Sequence, residues 1–360
     1  MSDLTSDLTS DRVVDPTPEL PLVPVAEQSV GRRLSAYAPI VVTAAMLALI
    51  PLRYSDSGSM MGVVTDGMLF ATYAVAFNII FGSTGQLFLC VGALAGLGGF
   101  GSAILADRVG LPMVAGMVVA ALGAGLIGGL LSWVSIKRAL DTIFIGIVTL
   151  AFSLSFENLV LGRRDLTGGE TGMFVEAGSD TFLHDRVPPY YVFLAILVVY
   201  LVIFRLLQRS RVGWAFRALR DDQLAAELSG VDVARYRVLA GIIGSTMLGL
   251  AGAFYAHSGR GFIGPSTYAF GHVDVRVLVM LAFGGIGSLL GPVVGAVAFT
   301  WLDEFLIDYR ELRLMIYGAV IVALFLGFRR GVAPALAALV RRVVTSRSDR
   351  RESTGALPRR

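Results

Sequence analysis

The chain alternates between apolar runs of membrane-crossing length and short polar interruptions. Runs of roughly 20 residues with few or no charges recur from residue 35 to residue 328, about what a helix needs to cross a hydrocarbon core. The runs are continuous and show no period-two alternation, which predicts helices and argues against a strand-built barrel. Candidate spans fall at 35–51, 60–82, 86–105, 111–134, 142–161 and 189–208, then at 238–257, in a long interrupted segment at 275–302, and at 314–328. The predicted fold is an all-α polytopic membrane protein with about 8–10 transmembrane helices, broken or re-entrant segments included. Trp133, Tyr190, Tyr191, Trp301 and Tyr309 stand near span ends, where amphipathic rings prefer the interface.

Two interruptions share a pattern. Phe81-Gly-Ser-Thr-Gly-Gln-Leu87 and Phe283-Gly-Gly-Ile-Gly-Ser-Leu289 both read FGxxG[QS]L, which suggests two weakly repeated halves. Paired glycine-interrupted segments in the halves of a transporter point to the substrate path. Asn78, Gly82, Thr84, Gly85 and Gln86 in the first break, with Gly284, Gly285, Gly287 and Ser288 in the second, are the candidates for that path. Coincidence in a glycine-rich chain is the plainer alternative.

Basic residues set the orientation. Arg32-Arg33, the Lys137-Arg138 turn, Arg209–Arg237 and the tail from Arg329 are the basic segments, while 162–188 and 303–313 are net acidic. With the N-terminus inside, six spans return the chain to the inside at Arg209. The segment at 275–302 must then enter from outside and turn back if the basic C-terminus is also to lie inside. Residues 1–34 read as a disordered cytoplasmic tail, 35–328 as the membrane domain, and 329–360 as a basic cytoplasmic tail.

Composition narrows the chemistry. Hydrophobic residues make up 55% of the chain and charged residues only 16%. The single cysteine, Cys90, excludes an intrachain disulfide. The only lysine, Lys137, follows no glycine-rich loop, so the chain carries no phosphate-cradling loop of its own. No two histidines stand at metal-ligand spacing, and neither a metal nor another cofactor is expected. Glu157 and Asp66 are expected near the outer interface. No paired acidic motif or activated nucleophile suggests an enzyme, and no nucleic acid is expected as a partner.

Arg209–Arg237 is the largest charged interruption, with six arginines and four acidic residues. Asp221 or Asp222 would cap a helix that stops at Gly230. On it Leu224 and Leu228 share one face, with Gln223 and Glu227 on the next. Asp232 would cap the following span. Such a helix suits anionic lipid headgroups, or a cytoplasmic partner.

The stretch from Arg217 to Arg237, with Ala225-Ala-Glu-Leu-Ser-Gly230 at its core, resembles the cytoplasmic loop of branched-chain amino acid ABC importer permeases. Asn78 with Gly82–Leu87, Leu166-Thr-Gly-Gly169, Gly261-Phe-Ile-Gly-Pro265 and Gly284–Pro292 are similar to further signatures of that family, in the same order. The resemblance covers most of residues 70–305. It implies that Arg220, Asp221, Asp222, Leu224, Ala226, Glu227, Leu228 and Gly230 couple a non-catalytic permease to separate ABC ATPase subunits. It further implies a second homologous permease and an extracytoplasmic substrate-binding protein. The latter would dock on loops that include Thr167, Gly168 and Gly169, for which simple turn chemistry is the alternative. A bacterial cytoplasmic membrane is the expected location. The chain departs from the family where a Gly-His pair usually follows the first break: it has Cys90-Val91, which leaves the substrate open between branched-chain amino acids and urea or short amides. An ion-coupled secondary transporter is the alternative from another class, although no mid-membrane carboxylate or histidine relay is evident from the residues.

Overall fold

Polar and glycine punctuation decides where each apolar helix starts and stops. The computed structural model describes residues 37–54, 57–175, 187–258, 262–306, 315, 316 and 319. The first expected span is two short helices, α1 (Ala38–Ala48) and α2 (Ile50–Tyr54), with Pro51 in the first turn of the second. Helix α3 (Gly58–Phe77) runs on into a π-helical turn at Asn78–Gly82. Helix α4 (Val91–Val109) ends at Gly110 in the left-handed region, φ +68°. After Pro112 comes α5 (Met113–Lys137), followed by α6 (Thr142–Gly162) and the single turn α7 (Arg164–Thr167). Strand β1 (Met173–Phe174) precedes α8 (Pro188–Arg209), which opens on two prolines whose fixed φ suits a first turn.

The charged interruption then folds into two helices, α9 (Arg211–Asp221) and α10 (Gln223–Leu228). Helix α11 (Val233–His257), strand β2 (Phe262–Ile263), α12 (Asp274–Gly284) and α13 (Gly291–Phe305) complete the described elements. Among the described residues, five helices are long and apolar enough to cross a membrane: Gly58–Gly82, Met113–Lys137, Thr142–Gly162, Pro188–Arg209 and Val233–His257. With its mean hydropathy of +0.72, the chain is a multi-pass membrane protein.

From Pro39 onward the chain forms one compact unit, built around α11, which packs on α3, α4 and α5. Small residues allow that approach. A Cβ on Gly98 would lie 1.8 Å from the Gly249 carbonyl oxygen, so the α4 and α11 backbones are in direct contact, as membrane helices achieve with small-residue seams. The outward faces stay apolar: Leu122 and Leu126 of α5 and Ile143 of α6 are exposed, the surface a lipid solvent requires. Buried tyrosines bond at their polar tips; the Tyr200 hydroxyl donates to the Met247 carbonyl at 2.6 Å.

The interrupted segment at 275–302 is two short helices, α12 and α13, packed against each other, with the helix broken between Gly284 and Gly291. Arg276 on the first and Asp303 on the second lie 3.4 Å apart, so each largely buried charge has its counter-ion. The span expected at 86–105 is corrected at its start: residues 85–90 belong to no helix or strand, and the helix begins at Val91. The span at 314–328 and the tails at 1–34 and 329–360 lie almost wholly outside the described residues, as does Gly261.

The two ends of the bundle differ. Helix α6 rises roughly 31 Å over its 21 residues. At its start, the 138–141 turn and the α10–α11 connection line one cavity. Beyond its end, β1 pairs antiparallel with β2, Met173 opposite Ile263 and Phe174 opposite Phe262.

Candidate functional site

The two glycine breaks, 210 residues apart for one of their bonds, meet. The Asn78 side chain, on the π-helical turn, donates from Nδ2 to the Ser288 carbonyl at 2.9 Å. Its Oδ1 accepts from the Gly287 amide at 2.8 Å. One amide therefore satisfies a donor and an acceptor that the second break has freed, as backbone inside a membrane requires. Ser288 closes the rest of the turn, donating to the Gly285 carbonyl at 2.7 Å and accepting from the Gly291 amide at 3.1 Å. Gly285 and Gly287 have φ of +112° and +78°, a region that disfavours any side chain.

The charged interruption reaches the same point. Arg220, near the end of α9, donates from Nη1 to the Gly82 carbonyl at 2.8 Å. A Cβ on Gly287 would sit 2.0 Å from that same nitrogen and 3.0 Å from the Gly82 oxygen. The guanidinium thus fills the notch left by the glycine. Gln208, at the end of α8, donates to the Gly287 carbonyl at 3.3 Å. Both breaks are held from the loop side as well as by each other.

From Gly85 to Cys90 the first break runs without helix or strand alongside α6, whose side chains meet some of its backbone groups. Thr142 donates to the Gly85 carbonyl at 3.3 Å, and the Leu89 amide donates to Thr149 Oγ1 at 2.9 Å. Gln86 is fully buried and donates to Thr84 Oγ1 and to the Arg237 carbonyl, both at 3.0 Å. Thr149 is seven residues into α6, on the order of 10 Å from its start, so the chain climbs well inside before α4 begins. There the carboxylate of Asp274, only 1% exposed, accepts from the Val91 and Gly92 amides. Asp274 opens α12 and caps α4, joining the half-helix of one break to the helix that follows the other. Cys90-Val91 sits at this junction, both side chains buried.

Asp222 is the N-cap of α10 and accepts from the Ala225 amide at 3.0 Å. Gly230 adopts φ +83° after the helix, and Asp232 caps α11 by accepting from the Arg235 amide at 2.9 Å. The helix expected over 221–230 is shorter, because Arg220 and Asp221 belong to α9 and the chain turns at Asp222. Ala226 packs inward with Leu219 and Val233. Leu224 and Leu228 point outward, 66% and 82% exposed, an apolar face with no described residue of this chain upon it. Glu227 lies beside them on the rim of the cavity that reaches to Asp141.

Thr167, Gly168 and Gly169 are at the other end of α6 and do not join the breaks. Thr167 is buried and donates to the Val160 and Arg163 carbonyls at 2.6 and 2.9 Å. Gly168 and Gly169 turn with positive φ. The turn leads to β1, where the Phe174 and Phe262 rings stand 5.4 Å apart. Glu157 is half-buried, and His257 is buried against Ser102 at 3.2 Å.

Asp274, Gln208 and Thr149 bond the backbone of the breaks, and sequence reasoning does not single them out. Asp274 escapes by a boundary: it is the residue before the apolar run that starts at 275, and so reads as loop. A carboxylate one residue outside an apolar segment that must begin inside the membrane is the available signal. Gln208 and Thr149 carry no such signal, since each acts on backbone far away in sequence.

The family model described as the branched-chain amino acid transport system permease component matches residues 59–325. The high-affinity branched-chain amino acid transport system permease protein LivM of Escherichia coli is 25% identical over 321 residues, covering 82% of this chain and 75% of its own. The corresponding permease protein BraD of Pseudomonas aeruginosa is 24% identical, over 71% of this chain and 88% of its own. The galactose/methyl galactoside import permease protein MglC of Escherichia coli is 27% identical over 52% of this chain and 57% of its own. No solved structure matches. The chain belongs to the branched-chain amino acid transport system permease family.

Proposed function

We propose that this chain is the transmembrane permease subunit of an ATP-driven importer for branched-chain or related small amino acids. The observation that carries the reading is the Arg220 contact: a loop residue bonds the first break at Gly82 and occupies the notch at Gly287 of the second. Motion of α9 and α10 therefore pulls on both breaks together. The exposed Leu224–Leu228 face is the coupling surface for a separate ATPase subunit, with Asp222, Ala226, Glu227 and Gly230 fixing its shape. A second homologous permease completes the pathway. An extracytoplasmic binding protein docks at the end bearing Thr167–Gly169 and the β1–β2 pair.

The basic 137–138 turn and the basic α9–α11 region lie together at one end, which fits a cytoplasmic side by the positive-inside rule. Both termini are then cytoplasmic, in a bacterial cytoplasmic membrane. Reconstitution with the ATPase and permease that co-purify from native membranes tests the reading. Uptake of labelled leucine should require ATP. Uptake driven by an ion gradient alone would overturn it.

A further inference from the structure

A cavity of about 560 Å³ opens between the 135–141 turn and the α10–α11 connection. Its volume is that of a small-molecule site. Arg237, the fifth residue of α11, lines it. That residue is 8% exposed, and its Nε, buried, has no hydrogen-bond partner. Helix geometry directs the side chain back toward the N-terminus of α11, the end that forms the cavity wall. The first-turn amides of α11 add positive potential there.

The rest of the wall has the opposite sign. Asp141, Glu227 and Asp232 line the same space. Asp141 makes no side-chain bond to the helix it precedes, while Asp232 already caps α11. Ile136 and Leu140 supply an apolar side. Leu224 and Leu228 are not part of the lining: α10 turns Glu227 and Gln223 to the cavity and its leucines elsewhere. The space thus adjoins the leucine face assigned to the ATPase and shares Glu227 and Gly230 with its support.

One cationic group, several carboxylates and an apolar wall around one cavity match an α-amino acid zwitterion. We propose that this cavity is a binding site for a free amino acid on the loop side of the membrane. The ligand carboxylate pairs with Arg237 and its ammonium with Glu227 and Asp141. The Arg237 carbonyl is the acceptor of buried Gln86 in the first break, so an occupant bears directly on that break. If the importer reading holds, this is the side on which the product accumulates, and occupancy slows further import.

Binding is tested on the full chain in lipid nanodiscs by calorimetric titration with L-leucine, leucinamide and 4-methylpentanoate. Only leucine should bind saturably, since each analogue lacks one charge. Arg237→Gln should weaken binding by roughly thirtyfold or more. Ala234→Trp, at an exposed position on the cavity wall, should abolish it with Arg237 intact, which guards against simple misfolding of the arginine variant. Leucine binding unchanged in both variants, or equal binding of 4-methylpentanoate, would overturn the proposal. Uptake into proteoliposomes preloaded with leucine should be slowed in the wild type and not in Ala234→Trp. Absence of any ATP-driven uptake would instead defeat the importer reading, with the nanodisc titration still deciding the site.

Discussion

Arg220 Nη1 lies 2.8 Å from the carbonyl oxygen of Gly82, 138 residues earlier in the chain. The bond is charge-assisted and ends on a backbone group that the π-helical turn leaves available. Because the same guanidinium fills the notch at Gly287, the residue is a link between the loop and both breaks.

Replacing Arg220 by Ala should therefore uncouple ATP hydrolysis from transport more than it lowers stability. Hydrolysis by the assembled complex should continue while leucine moved per ATP falls by about tenfold or more. Arg220→Lys should recover little, since an ammonium lacks the planar fork. Measuring both rates in one proteoliposome preparation checks this; coupled transport in Arg220→Ala would sink the link.

Gly287→Ala should reproduce the Arg220→Ala phenotype. Its Cβ would displace the guanidinium, and φ +78° adds about 1 kcal/mol of strain. The double variant should be no worse than the more severe single one, the signature of a shared interaction. Gly85→Ala is the control for strain alone: φ is +74°, but no atom lies within 4 Å of the place its methyl group would take. It should lose stability by a similar amount and keep coupling.

Asn78→Leu should cost more than a surface polar change, because it strands the Gly287 amide and the Ser288 carbonyl together. Each unpaired buried group costs about 1–3 kcal/mol. Asn78→Asp keeps the acceptor but turns an oxygen on the Ser288 carbonyl, so it should fail as well. Thermal unfolding in detergent and leucine uptake are the measurements.

Asp274→Asn should lower stability by about 1 kcal/mol or more, since it replaces one of the two oxygens that cap Val91 and Gly92 with a donor. Hydrogen exchange should show the first turn of α4 opening before the rest of the helix. Unchanged protection there would remove Asp274 from its capping role.

Asp222→Ala should weaken the ATPase contact, as the six-residue α10 has little else to fix its first turn. Loss of an N-cap costs about 1 kcal/mol. Asp222→Asn should be close to neutral. Retention of the ATPase on an affinity column carrying the permease reads the difference.

Much of this is legible in the residues. Apolar run length fixes the spans, because backbone in lipid must satisfy itself and the helix does so locally. The breaks at 81–87 and 283–289 are visible because glycine at positive φ is a local requirement, and Gly85, Gly285 and Gly287 meet it. Asp222, Gly230 and Asp232 are visible for the same reason, since capping is settled within a turn. Which residues close those breaks is not visible. Asn78 reaches Gly287, Arg220 reaches Gly82, Gln208 reaches Gly287 and Asp274 reaches Val91 across spans of chain that sequence spacing does not relate. Local chemistry announces that backbone groups will be freed; only the packing of α3, α4, α12 and the loop decides which side chains meet them, because that depends on distances set by every other helix in the bundle.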